Sequence, residues 1–65
     1  MDPEEMVERL NAVREEHRDL DTAIAALARE SGHDQVQLAR LKKRKLRLRD
    51  EIANLRDAIR PDIIA

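Results

Sequence analysis

Counting outwards from Gly32, the apolar residues of the chain mirror one another: Leu27 faces Leu38, Ile24 faces Leu41, Val13 faces Ile52, Leu10 faces Leu55 and Met6 faces Ile59. Two polar residues complete the series, Lys45 opposite Leu20 and His17 opposite Leu48. In every pair the two residue numbers add to 65. Along each arm the spacing alternates between four and three, which is the a/d seam of a heptad repeat, and an antiparallel pair of helices sets a against d′ as happens here. The expected fold is therefore all-α, an antiparallel two-helix coiled-coil hairpin folded at Gly32.

The chain forms a single helical-hairpin domain over residues 1–65, with helix 1 expected over about 3–30, a turn at 31–34, helix 2 over about 35–60 and a tail at 61–65. Asp2 can accept from the free N–H groups of the first turn, Pro3 sits where its missing N–H costs nothing, and Glu5 completes a capping box. Ser31-Gly32-His33 ends helix 1, with Gly32 suited to a left-handed closing conformation. Asp34 and Gln37 form a second capping box at the start of helix 2. Pro61 stops helix 2, because the residue before a proline is pushed away from helical geometry. Ile63 and Ile64 in the tail suggest docking on a partner chain.

A two-helix hairpin of 65 residues buries little apolar surface by itself, so self-association into a dimer or higher oligomer, such as a four-helix bundle, is expected. Alanines at 23, 25, 26 and 28 would let another helix approach closely. Leu46 lies off the seam, in line with Ala39 and Ala53 seven residues to either side, and this narrow stripe is the candidate oligomer face.

Charge divides by helix. Residues 1–30 carry nine acids and four bases, a balance of −5; residues 31–65 carry nine bases and five acids, a balance of +4. The two helices attract along their length, although each exposed pair contributes only about 0.2 to 1 kcal/mol. In the flanking positions Asp21 is expected near Lys42, whereas Arg14 falls near Arg49 and Glu16 near Glu51, both unfavourable unless the side chains reach sideways. Such a pattern again suggests further chains in the assembly.

Three features carry the functional question. The stretch from Arg40 to Arg49 holds seven cations in ten residues, of which Arg40, Lys42, Lys43, Arg44, Arg47 and Arg49 are candidates for binding an anion or a partner. At 3.6 residues per turn these cations point all round the helix, leaving no single basic face, and the chain lacks the aromatic residues that stack on bases. Nucleic-acid binding is therefore the alternative reading rather than the first. Lys45, in the seam, should snorkel to its edge and meet Asp21 or Asp19. His17 should donate to Asp21 one turn later. Together these two polar seam residues would set register.

Without Cys there is no disulfide framework, thiolate metal site or Cys nucleophile. No nucleophile beside a base and no Gly-rich phosphate loop is present, and two helices enclose no pocket, so no enzymatic activity, cofactor or metal is expected. No run approaches the roughly 18 apolar residues of a membrane span, and the acidic N-terminus is unlike a secretory signal, so no membrane association and a cytoplasmic location are expected. The expected role is a non-catalytic, self-associating interaction or scaffolding module, with itself and another protein as partners.

Glu16-His17-Arg18-Asp19-Leu20-Asp21 with Ile24, and Leu41-Lys42-Lys43-Arg44-Lys45-Leu46-Arg47-Leu48-Arg49-Asp50-Glu51-Ile52, resemble the YdcH-like family of short bacterial proteins of unknown function. The resemblance spans about residues 5–57. It departs at Arg49, where the family usually has Lys, and in lacking the aromatic residue often found in the first helix. It implies an associating helical hairpin and singles out His17, Leu20, Asp21, Lys42, Lys45, Leu46, Leu48, Asp50 and Glu51, without implying an activity.

Overall fold

The computed structural model describes residues 1–30, 32 and 34–59. Two helices, α1 (Pro3–Arg29) and α2 (Gln35–Ile59), pack side by side as an antiparallel hairpin. α1 ends at Arg29, one residue before the expected end at about 30, and the expected end of helix 2 at about 60, with the stop at Pro61, lies outside the described residues. The tail with Ile63 and Ile64 lies outside the described residues, as do Ser31 and His33 in the turn.

Both helix starts use the expected caps. Asp2 Oδ1 accepts from the Glu5 N–H at 2.8 Å, and that hydrogen bond holds the Asp2 carboxyl below its usual range. Asp34 Oδ1 accepts from the N–H groups of Val36 and Gln37 at 2.9 and 3.1 Å. At the end of α1, Glu30 leaves the helix in an extended conformation, its N–H still donating to the Leu27 carbonyl at 3.1 Å. Gly32 then takes φ +74°, the left-handed region that residues with a Cβ avoid.

The seam lies where the heptad places it. Leu10, Val13, Ile24 and Leu48 are buried, Val13 completely, and every other seam residue of both helices is half-buried. Among the described residues only two others are not fully exposed, Glu16 and Glu51. In heptad letters Leu10, His17, Ile24, Leu38, Lys45, Ile52 and Ile59 are a, while Met6, Val13, Leu20, Leu27, Leu41, Leu48 and Leu55 are d. The hairpin thus has two flanks, one formed by the g positions of both helices and one by the e positions. No helix of the described residues is long and apolar enough to cross a membrane.

Two substitutions separate these contributions. Val13→Ala should lower unfolding stability in urea by about 2 kcal/mol, since it removes buried methyl groups at the one wholly enclosed position. At Gly32 a Cβ would meet open space, so Gly32→Ala should lose only the roughly 1 to 2 kcal/mol of an L-residue held at positive φ.

Candidate interaction surfaces

On the g flank, Arg9 Nε donates to Glu51 Oε2 at 2.7 Å and an Arg44 terminal nitrogen donates to Glu16 Oε2 at 2.6 Å. Each residue in these pairs is a g position, and in an antiparallel pair a g side chain lies between two g′ residues one heptad apart. Glu16 therefore has Glu51 on one side and Arg44 on the other, and takes the cation. The expected Glu16 and Glu51 conflict resolves through this sideways reach, so it gives no support for additional chains. Glu16 and Glu51 are both half-buried.

The e flank resolves differently. Lys45 leaves the seam and its Nζ donates to Asp21 Oδ1 at 2.7 Å, as the snorkelling argument requires. Asp21 was expected near Lys42, but the seam lysine takes it and Lys42 forms no ion pair among the described residues. The hydrogen bond from Lys45, reinforced by its charge, holds the Asp21 carboxyl below its ordinary value of 3.8. Arg14 and Arg49, the like-charged pair of this flank, find no counter-ion among the described residues.

His17 does not donate to Asp21. Its ring is half-buried in the seam, and Nε2 is enclosed without a hydrogen-bond partner. The cationic Lys45 makes the stronger, charge-assisted bond to the carboxylate and occupies it. Among the described residues no three His, Asp or Glu side chains gather as a metal-holding group.

The basic run is sorted between the flanks instead of being spread evenly. Arg40, Lys43, Arg44 and Arg47, spaced i, i+3, i+4 and i+7, line one open groove of about 540 Å³ on the g side together with Arg9 and Glu51. Arg44 and Arg9 are neutralised there, whereas Arg40, Lys43 and Arg47 form no ion pair among the described residues. The expectation of no single basic face is corrected to this extent: four of the seven cations do share a groove. Lys42, Lys45 and Arg49 border a second groove, of about 210 Å³, with Leu46 and Ile24. Leu46 is 51% exposed, and Ala39 and Ala53 are exposed in line with it.

The family comparison adds no activity. A family described as a protein of unknown function (DUF465) matches residues 10–56. The chain belongs to that family. No curated protein and no solved structure matches it. The matched DUF465 segment contains both polar seam residues, both g-flank ion pairs except Arg9, and the whole basic run.

Two measurements test these assignments. Because the folded-state carboxyl of Asp21 titrates below its unfolded value, the stabilisation it provides is complete above the ordinary carboxylate range and is lost as pH falls through the lowered value. Thermal unfolding of wild type and Asp21→Asn should therefore differ most at neutral pH and converge in acid. His17→Leu should raise stability by about 1 kcal/mol, since it removes an enclosed nitrogen that has no partner.

Proposed function

We propose that this DUF465 chain is a non-catalytic interaction module that works as a homo-oligomer in the bacterial cytoplasm and can engage another protein, in keeping with its likeness to YdcH-like proteins. The observation that carries this reading is Leu46, an exposed leucine beside a groove and in line with two exposed alanines. A single hairpin buries only four side chains among the described residues, a small core for a domain standing alone. Covering the Leu46 stripe with another chain would enlarge it. The register set by Lys45 and His17 supports this role, because it determines which residues the hairpin presents on its outer faces.

One observation favours a second reading, binding to nucleic acid. Arg40, Lys43 and Arg47 stand unpaired along the larger groove, where they could meet successive phosphates. The acidic net charge of −1 and the absence of aromatic residues weigh against it.

Sedimentation of the purified protein, with and without a short duplex DNA, separates the two. The interaction-module reading expects an assembly larger than one 7.5 kDa chain, indifferent to DNA, which Leu46→Glu returns to single chains. A DNA complex that dissolves at about 0.5 M salt and is lost on replacing Lys43 and Arg47 by Glu would favour the second reading.

A further inference from the structure

Lys42 and Arg49 stand one turn before and one turn after the exposed Leu46 and share its groove. Arg14 of α1 lies opposite Arg49 in the heptad, on the same flank. Among the described residues none of these three cations forms an ion pair, and Asp21, on that flank, is already held by Lys45. On its e side the exposed leucine is thus bordered by uncompensated positive charge, while Asp50, one turn after it, stands on the other side.

The outer side of α1 carries the complementary pattern. Glu8 and Glu15 stand four residues before and three residues after Ala12, the same offsets that Lys42 and Arg49 have from Leu46. Glu5 and Asp19 lie seven residues to either side of Ala12, and these five residues occupy about a quarter of the helix circumference. All are exposed, and none of the four carboxylates forms an ion pair among the described residues. Ala12 leaves a shallow hollow between the acids, where Leu46 makes a projection between the cations.

We propose that the Lys42-Leu46-Arg49 face of one copy docks on the Glu8-Ala12-Glu15 face of a second copy, with Leu46 over Ala12 and the cations against the carboxylates. This rests on the reading that the chain self-associates, and specifies how. The two faces differ, so the contact is heterologous: a joined pair keeps one free face of each kind, one on each copy, and association continues into a ring or an open series. A two-fold pairing of the Leu46 stripe with itself would instead set Lys42, Arg49 and Arg14 against the same cations of the other copy, which opposes association. Because the contact is small and charged, it strengthens at low ionic strength, where screening extends over about 30 Å at 0.01 M salt.

The experiment is sedimentation of wild type, Glu8→Gln/Glu15→Gln and Lys42→Gln/Arg49→Gln at low salt over a range of concentrations, with helicity checked by circular dichroism. The wild type should grow beyond two chains as concentration rises and fall back to one at about 1 M salt. Each double variant alone should remain a single chain. Their equimolar mixture should form a complex of two chains and nothing larger, because each variant supplies the one face the other lacks. Assembly of either double variant alone to the wild-type extent would overturn the heterologous contact while leaving self-association standing. A wild type that stays a single chain at low salt would overturn self-association itself, and this contact with it.

Discussion

Packing of the a and d residues of α1 against the d′ and a′ residues of α2, in a register set by the short turn through Gly32, is the contact on which every other feature of the hairpin depends. The core it makes is narrow, with only Leu10, Val13, Ile24 and Leu48 buried among the described residues. Every charged side chain beside that seam is positioned by it. A shift of one residue in register would carry Lys45 away from Asp21 and Arg44 away from Glu16, and would move the seam leucines out of contact.

The two polar residues within the seam meet different fates, for a reason that lies in side-chain length. Lys45 has four methylenes, so it can cover apolar surface with its stem and still carry its ammonium to Asp21 at the edge. His17 has one methylene and a rigid ring. It fills the seam opposite Leu48, its enclosed Nε2 without a hydrogen-bond partner. A polar residue at such a place supports one register over others at some expense in stability.

Division of charge between the helices has a second consequence at the outer surface. An acidic α1 and a basic α2 attract across the seam, yet only three acids and three bases are paired in that way among the described residues. The remainder stays segregated, acid along the back of α1 and base along both flanks of α2. A hairpin with this distribution is complementary to another of its kind, and the exposed leucine lies within the basic part.

The sequence by itself determined the all-α hairpin, the two capped helix starts, the turn at Gly32 and the seam residue by residue, because periodicity, capping and backbone preference are properties of neighbouring residues. It also indicated that Lys45 would leave the seam for Asp21 or Asp19, since a buried unpaired ammonium is costly, and the structure selects Asp21. Only the tertiary structure decided the other charge pairings. A g residue such as Glu16 stands between Glu51 and Arg44 of the facing helix, and the reach of the arginine side chains settles which neighbour it meets. The same holds for His17, whose Nε2 ends enclosed in the seam without a partner, and for the basic run, whose cations separate into two grooves only once α1 supplies the opposite wall of each.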